Sequence, residues 1–339
     1  MKARFRASSA QSSPDARASV GERAVNASPT SIRAVADIGS NSVHLLVAVT
    51  NGFRLGSIAD ESLPSELGGL VERRGEIGGK ATNALLDVLG RFRSRALQLG
   101  ASGLTVVATE PLRRAGDRTK VVKEITRRLG SAPVVLEHEE EGFLTVLGLL
   151  HPHERSTPFL VGDIGGGSTE VVRVTPGRDP IAQGVSIGSA RLMARVNYAD
   201  PPKVREWRAL REHAHMALSA LAASDATRLV LVGGTATRLL KLVPETLLTH
   251  AVTPSDLRLM GERLASLSSG EISSAFAISE RRARLLPAGL SILEALLQQT
   301  GVTSLHVDRG GIREGVIVAE ALGGTSWRGR LSELVRAQR

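Results

Sequence analysis

The sequence predicts an α/β protein made of two similar halves that face each other across a cleft. The chain has 339 residues, a length that favours two hydrophobic cores over one. Strand-like apolar runs alternate with helix-like segments along most of it. The strand and turn of Ala34–Ser42 return at Leu160–Ser168 without a gap, a spacing equal to the separation of Asp37 from Asp163. This repeat indicates a duplicated chain.

The first half opens with strands and then alternates helices with strands. A tight turn at Gly39–Ser42 separates the first two strands. After a glycine-rich stretch at 68–79, apolar residues at Leu85, Leu89 and Phe92 have helical spacing. The predicted strands are 33–37, 43–50, 53–59, 104–108 and 133–136, and the predicted helices are 81–99, 118–129 and 139–150.

The second half repeats the same opening. The turn Gly165–Ser168 again separates two apolar strands, and Val107–Arg113 roughly matches Val232–Arg238 at nearly the same spacing. The predicted strands are 159–163, 170–174, 181–186, 229–232 and 306–308, and the predicted helices are 202–222, 236–242, several up to 299, and 312–322. These boundaries predict a first domain at 31–139 and a second at 140–324, with the closing helix 312–322 packing back on the first domain.

The positive charge is concentrated at the two ends of the chain. Lys and Arg total 43 against 34 Asp and Glu, a net charge of +9. Residues 1–30 and residues 325–339 each carry a surplus of three positive charges. They are predicted to be a disordered basic extension and a basic tail. The body is only mildly basic, so the charge does not favour a nucleic-acid partner.

Two further features of composition limit the function. No apolar run approaches the ~18 residues that a membrane span needs, so no membrane association is predicted. The chain has no cysteine, which excludes disulfides, thiolate metal sites and thiol nucleophiles. This composition is consistent with a cytoplasmic protein.

The two repeated turns have the composition of phosphate-binding hairpins. Glycine lets backbone N–H groups converge on an anion, and serine adds hydroxyl donors. Asp37 and Asp163 end the two strands, and a carboxylate beside a phosphate calls for a cation such as Mg²⁺ between them. A single turn of this kind is typical of an ordinary hairpin, whereas the repeated pair favours phosphate binding. The predicted phosphate-binding residues are Gly39, Ser40, Asn41 and Ser42 in the first turn, and Gly165, Gly166, Gly167 and Ser168 in the second.

Other segments could complete such a site. Gly233, Gly234 and Thr235 lie between a strand and a helix, where N–H groups favour an anion, although paired glycines also serve close packing. Arg309–Gly315 is a similar turn with two arginines. In the acidic run Glu137–Glu141, the first glutamates are typical of a solvated helix start. Glu141 precedes apolar helical residues and could act as a base for water.

Seven motifs in this order resemble the exopolyphosphatase/guanosine pentaphosphate phosphohydrolase (Ppx/GppA) family over residues 32–322. The resemblance implies the actin-like (ribonuclease H-like) ATPase fold and Mg²⁺-dependent hydrolysis of a terminal phosphoanhydride. The chain resembles the short form, without the C-terminal HD-type domain. The motifs are Asp37–Ser42, Glu139–Gly142, Asp163–Glu170, Gly184–Gly188, Gly233–Thr235, Leu286–Leu293 and Gly311–Gly315.

The resemblance also implies roles for single residues. Glu141 matches the catalytic base, and Asp163 and Glu170 match carboxylates that position metal and water. Together with Asp37, these two form the predicted magnesium ligands, and Arg113 is predicted to clamp phosphate. Two departures lie near the first phosphate turn: His44 stands where an arginine is frequent, and Thr109-Glu110-Pro111 replaces Thr-Ser-Ala.

The predicted function is hydrolysis of the terminal phosphate of inorganic polyphosphate, with short chains preferred. The alternatives are 5′-hydrolysis of pppGpp, a kinase or ATPase of the same superfamily, and a non-catalytic alarmone sensor. The nine aromatic residues (six Phe, two Trp, one Tyr) provide no evident stacking platform in the motifs, which favours polyphosphate. The resemblance further implies a homodimer, a role in the stringent response, and regulation by (p)ppGpp.

Overall fold

Two mixed β-sheets form the frame of the molecule. In the computed structural model, residues 31–338 are described except 152, 154, 155 and 223, so the predicted basic extension 1–30 lies outside the described residues. The first sheet has the order β3-β2-β1-β4-β5. Its strands are β1 (Ser31–Ile38), β2 (Ser42–Thr50), β3 (Leu55–Pro64), β4 (Thr105–Ala108) and β5 (Val134–Val135).

The second sheet has the order β8-β7-β6-β9-β11-β10. Its first five strands correspond in turn to β3, β2, β1, β4 and β5, and β10 is an additional edge strand. In both sheets three antiparallel strands form a meander, and two parallel strands follow on the other side of the first strand. This repeated topology confirms the predicted duplication. The strands are β6 (Phe159–Ile164), β7 (Thr169–Val174), β8 (Ile181–Val185), β9 (Arg228–Val232), β10 (Ala251–Val252) and β11 (Ser304–Val307).

Helices cover both faces of each sheet. Those of the first half are α1 (Leu67–Arg74), α2 (Gly79–Gln98), α3 (Glu110–Arg114), α4 (Arg118–Leu129) and α5 (His138–Leu147). Those of the second half are α6 (Ser189–Val196), α7 (Val204–Leu218), α8 (Gly233–Lys241), α9 (Thr246–Thr249), α10 (Pro254–Ser266), α11 (Ser269–Phe276), α12 (Glu280–Ala283), α13 (Leu286–Thr300), α14 (Ile312–Gly323), the 3-10 helix Gly324–Arg330 and α15 (Leu331–Ala337).

Three hydrophobic cores hold this frame together. One lies on the outer face of each sheet, under α2 and α4 in the first half and under α7 and α13 in the second. The third fills the space between the two sheets and contains α5 and α14. Helix α14 packs against α5 and also against β1 and β2, so the closing helix returns to the first half.

Glycines allow α5 and α14 to cross at backbone contact. A Cβ atom on Gly315 would overlap the carbonyl oxygen of Leu144, and one on Gly310 would overlap that of Gly148. Only glycine leaves the space that this crossing requires. The crossing fixes how the two halves meet beside the cleft.

The segment that the sequence presents as a basic tail is folded. Trp327, Leu331, Leu334 and Val335 are buried against the core between the sheets. Their spacing is helical, but four arginines within the same fifteen residues dominate the composition.

Three short helices, α1, α3 and α6, were also absent from the predicted elements. Gly68 and Gly69 lie inside α1, where glycine lowers helix propensity. Within the described part of the chain, no helix combines the length and apolar character needed to cross a bilayer.

Candidate functional site

A cleft of about 740 Å³ opens between the two halves. The turns that follow β1 and β6 reach it from opposite sides, and the start of α8 forms a third side. All predicted phosphate-binding residues except Arg113 line this cleft. The duplication therefore brings together residues that are far apart in the chain.

The two turns have the same internal hydrogen bond. Gly39 N donates to Ser42 O at 3.1 Å, and Gly165 N donates to Ser168 O at 3.0 Å. The turns also touch, because a Cβ atom on Gly166 would overlap the Asn41 side chain. A phosphate in the cleft would therefore be within reach of backbone groups from both halves.

Asp37 and Asp163 lie at equivalent positions at the ends of β1 and β6. The pKa of Asp37 is raised to about 7, mainly by burial, with the charge of Arg313 opposing the rise and that of Asp163 adding to it. Burial raises the pKa of Asp163 to about 6. Asp37 Oδ1 is buried without a hydrogen-bond partner. Buried carboxylate oxygens such as Asp37 Oδ1 are suitable ligands for a hard divalent cation such as Mg²⁺.

Glu141 and Glu170 form a second pair of buried carboxylates in the cleft wall. Glu141 is 3% exposed and Glu170 is 4% exposed. Burial raises the pKa of Glu141 well above its usual value, with the charge of Glu170 adding to the effect. Burial also raises the pKa of Glu170 to about 8, with Asp163 as the next cause. Both groups are more basic than ordinary glutamates.

Arg113 and His138 lie behind these two carboxylates. The Arg113 guanidinium forms an ion pair with Glu141 and donates to Leu136 O at 2.6 Å. His138 Nδ1 lies 2.7 Å from Glu170 Oε1. Burial lowers the pKa of His138, and Arg113 lowers it further. Because Arg113 does not line the cleft, its predicted role as a phosphate clamp stays a prediction.

One metal-compatible group occurs among the described residues. Potential ligand atoms of His138, Glu141 and Glu170 lie within 4.8 Å of one another. An Arg113 Nη2 atom lies 3.1 Å from His138 Nδ1, so the guanidinium already supplies positive charge there. The ligand atoms of the predicted magnesium ligands Asp37, Asp163 and Glu170 do not all lie within this distance of one another. Because Mg²⁺ commonly binds only one or two carboxylates and several waters, a site for it does not require all three at once.

Cations from the second half reach the first phosphate turn. Arg282 Nη2 donates to Ser42 Oγ at 3.1 Å, and Arg313 lines the cleft while paired with Asp60. His44 lies beside both arginines, and its pKa falls to about 4, mainly through burial. Arg282 and Arg313 thus bring positive charge to the surroundings of His44. Arg313 had a sequence signal, in the turn Arg309–Gly315.

The duplicated fold and the phosphate turns around buried carboxylates define a phosphoryl-group-handling protein of the actin-like class. The family model described as the Ppx/GppA phosphatase family matches residues 45–323, more than half of the chain. The chain therefore belongs to this family, which confirms the resemblance seen in its motifs.

Known relatives cover nearly the whole chain. Exopolyphosphatase 1 of Mycobacterium leprae is 27% identical over 304 residues, which are 84% of this chain and 88% of that protein. The Ppx/GppA family member of Aquifex aeolicus is 26% identical with a TM-score of 0.74, covering 88% of this chain and 99% of that one. An exopolyphosphatase of Cytophaga hutchinsonii, at 20% identity, supports the fold alone, with a TM-score of 0.76 over 86% of this chain and 98% of that one.

Proposed function

We propose that the protein is a Mg²⁺-dependent exopolyphosphatase that hydrolyses the terminal phosphate of short-chain inorganic polyphosphate. The observation that carries the proposal is Glu141, a buried carboxylate of raised pKa in the wall of a cleft with two phosphate turns. The similarity to exopolyphosphatase 1 of Mycobacterium leprae supports the same substrate class.

The terminal phosphate would bind between the two turns. Backbone N–H groups of Gly39 and Gly165 already close the turns, and the Ser168 hydroxyl donates to Glu170. The remaining N–H groups and the hydroxyl of Ser42 are therefore the donors for phosphate oxygens. Arg309 lines the cleft and is exposed, so it can meet the rest of the polyanion as it enters. Positioning and charge stabilisation of this kind supply most of the catalysis in phosphoryl transfer.

Glu141 would take the proton from the attacking water. A general base works best when its pKa is near the working pH, and burial moves Glu141 in that direction. Its ion pair with Arg113 fixes the carboxylate in place and opposes the rise of its pKa. Glu170, held by His138, would orient the same water.

A divalent cation fits the oxygen donors of Asp37, Asp163 and Glu170. When bound, it would neutralise charge on the phosphate oxygens, as Mg²⁺ does in other phosphoryl-transfer sites. The buried and unpartnered Oδ1 of Asp37 is the feature that supports this assignment.

Hydrolysis of pppGpp is the second candidate. The family to which the chain belongs is named after both Ppx and GppA phosphatases, and the resemblance to it implies either substrate. A guanine base would favour an aromatic surface beside the phosphate site. Within the part of the chain that is described, the cleft-lining residues include no Phe, Tyr or Trp. This composition favours polyphosphate.

The proposal is tested by orthophosphate release from short-chain polyphosphate, long-chain polyphosphate and pppGpp, each with and without Mg²⁺. We expect metal-dependent release that is fastest with short chains. Release from pppGpp alone would reject the polyphosphatase function and support pppGpp hydrolysis instead. Tight nucleotide binding without any release would make it a sensor.

A further inference from the structure

Two neighbouring helices of the first half carry most of the positive charge of the folded body. α2 contains four cations and one anion, and α4 contains five cations and one anion. Their combined surplus is seven charges, whereas the whole chain has a net charge of +9 and its two ends hold six of these. The rest of residues 31–324 is therefore net negative. The mild net charge of the body conceals a strongly basic surface.

The equivalent helices of the second half lack this charge. α7 and α13 cover the outer face of the second sheet, as α2 and α4 cover that of the first. α7 has three arginines and two glutamates, and α13 has one glutamate and neither Lys nor Arg. Their net charge is zero. Because both pairs of helices serve the same fold, the basic surface is not a requirement of covering a sheet, and its charge points to an anionic ligand.

The helices α2 and α4 lie side by side and run in the same direction. Asp117, which precedes α4, accepts hydrogen bonds from the N–H groups of Ile77 at 3.0 Å and Gly78 at 2.8 Å, which precede α2. Further along both helices, a Cβ atom on Gly90 would lie 3.1 Å from Arg128 Nη2. The exposed side chains of the two helices thus share one surface. The 20 residues of α2 give it a length of about 30 Å.

Most cations of this surface are available to a ligand. In the described part of the chain, Arg95 pairs with Glu61 and Arg127 pairs with Glu124. Six other cations are exposed and form neither an ion pair nor a side-chain hydrogen bond with described residues. The only aromatic residue of the two helices, Phe92, is buried, so the surface offers charge without a platform for base stacking. These six cations, which we call the basic face, are Arg91, Arg93, Arg118, Lys120, Lys123 and Arg128.

The basic face begins close to the first phosphate turn. At the start of α1, Gly68 N donates to Ser40 O at 2.9 Å, and beyond its end Gly75 O accepts from Gly116 N at 2.8 Å. Gly116 lies directly before the start of α4, so α1 connects the turn with the basic face. Its eight residues span roughly 12 Å, and its last turn carries two exposed arginines. A polyanion with one end in the cleft can therefore reach α2 and α4.

We propose that the basic face is an exosite for long-chain inorganic polyphosphate, which binds internal phosphates while the end of the chain lies in the cleft. This inference rests on the proposed function. A chain too short to span α1 does not reach the exosite, so only long chains gain affinity from it. Nucleic acids offer the same phosphates, but the lack of an exposed aromatic residue favours a polyanion without bases.

The exosite has a defined kinetic consequence. Contacts remote from the reacting phosphate are equally strong in the ground state and the transition state, so they lower KM without raising kcat. They also oppose the advance of the chain by one phosphate after each turnover. This effect agrees with the faster hydrolysis that we expect for short chains.

A triple substitution on the basic face tests the inference by steady-state kinetics. We expect Arg91→Gln/Lys120→Gln/Lys123→Gln to raise KM for long-chain polyphosphate by about tenfold, the combined effect of three exposed ionic contacts. KM for tripolyphosphate and kcat for short chains should stay within about twofold of wild type.

The matched control removes the same charge from the second half. Arg205→Gln/Arg208→Gln/Arg258→Gln changes three exposed cations of α7 and α10 and should leave KM for both substrates unchanged. Circular dichroism checks folding. If the first triple variant does not fold, Lys123→Gln alone should raise KM for the long chain by about twofold.

Binding without turnover provides an independent measurement. Fluorescence anisotropy of long-chain polyphosphate labelled at one end is followed without Mg²⁺ at several salt concentrations. We expect the first triple variant to bind about tenfold more weakly than wild type and control. The slope of log affinity against log salt should become shallower by about 2, because each contact with a flexible single-stranded polyanion contributes about 0.7.

Equal KM values and equal affinities of the two triple variants for the long chain would overturn the inference. An equal loss for tripolyphosphate and the long chain would also overturn it, because the substitutions would then act through the cleft. If RNA displaces the labelled chain at a lower phosphate concentration than unlabelled polyphosphate does, the face serves nucleic acid and the assignment to polyphosphate is wrong. If the wild type hydrolyses no substrate but only the first triple variant loses affinity, the proposed function fails and the exosite stands.

Discussion

At the scale of single residues, the cleft is characterised by carboxylates that are buried away from solvent. Asp37, Asp163, Glu141 and Glu170 all have pKa values raised by burial, yet each lies beside a turn suited to binding an anion. Such an arrangement is unfavourable until a cation or proton is shared. Clusters of groups with shifted pKa values are typical of catalytic sites.

Replacement of Glu141 tests the assignment of the general base. We expect Glu141→Gln to retain the fold, because the amide keeps the size of the side chain and an acceptor for Arg113. Turnover of short-chain polyphosphate should fall by about 10²-fold or more, the scale of losing a general base. The measurement is kcat at saturating substrate, with circular dichroism as the check of folding. A folded variant with undiminished kcat would exclude Glu141 as the base.

The residues on the two turns could be predicted from the sequence, because the repeat itself locates them. Their partners across the cleft could not be predicted in the same way. Arg191 meets Glu110 from 81 positions away, and Arg282 meets Ser42 from 240 positions away. Such pairs depend on how the two halves dock, and no local pattern contains that information.

At the scale of elements, the strands followed from apolar runs and the long helices from their spacing. Segment 324–337 shows where composition misleads. Its arginines led to the prediction of a basic tail, although the segment also has a buried apolar face. Trp327 is the largest residue of that face and is 7% exposed. Residues 324–337 therefore pack on the core between the sheets through this apolar face.

Truncation of the Trp327 side chain should destabilise the whole fold. We expect Trp327→Ala to lower the free energy of unfolding by about 3–5 kcal/mol, the range for removing a buried tryptophan. Leu248→Ala is the matched control, because Leu248 is 88% exposed. Urea denaturation followed by circular dichroism measures both. A loss below about 1 kcal/mol for Trp327→Ala would mean that the segment is dispensable.

The crossing of α5 and α14 gives a second prediction for elements. A methyl group on Gly315 would collide with the backbone of Leu144, which cannot move aside as a side chain could. We expect Gly315→Ala to lower the free energy of unfolding by about 3 kcal/mol, the upper part of the range for overpacking. Gly270→Ala, in α11 with nothing within 4 Å of the added carbon, should change it by less than about 1 kcal/mol. Equal effects of the two substitutions in thermal or urea denaturation would contradict this account of the crossing.

At the scale of the whole molecule, the two halves share one buried boundary of apolar and charged groups. The core between the sheets holds α5 and α14, and both helices also carry cleft carboxylates, Glu141 and Glu314. Glu314 is 6% exposed, and burial raises its pKa to about 7 despite the opposing charge of Arg313. The stability of the molecule must therefore depend on pH through this boundary.

The direction of that dependence follows from the raised pKa of Glu314. The folded protein holds the proton up to about pH 7, whereas the unfolded chain releases it near pH 4.5. The contribution of this group is therefore fully present below pH 4.5 and is lost as the pH rises to 7. A shift of this size corresponds to at most about 3 kcal/mol.

Comparison of the wild type with Glu314→Gln isolates this contribution from those of the other carboxylates. Between pH 5 and pH 8, in the absence of divalent cations, we expect the wild type to lose up to about 3 kcal/mol more free energy of unfolding than the variant. Glu262→Gln, at an exposed position on α10, should follow the wild type at every pH. Urea denaturation at a series of pH values measures all three. Parallel curves for the wild type and Glu314→Gln would show that Glu314 ionises at its ordinary pH, and that this part of the boundary between the halves admits enough water to solvate a charge.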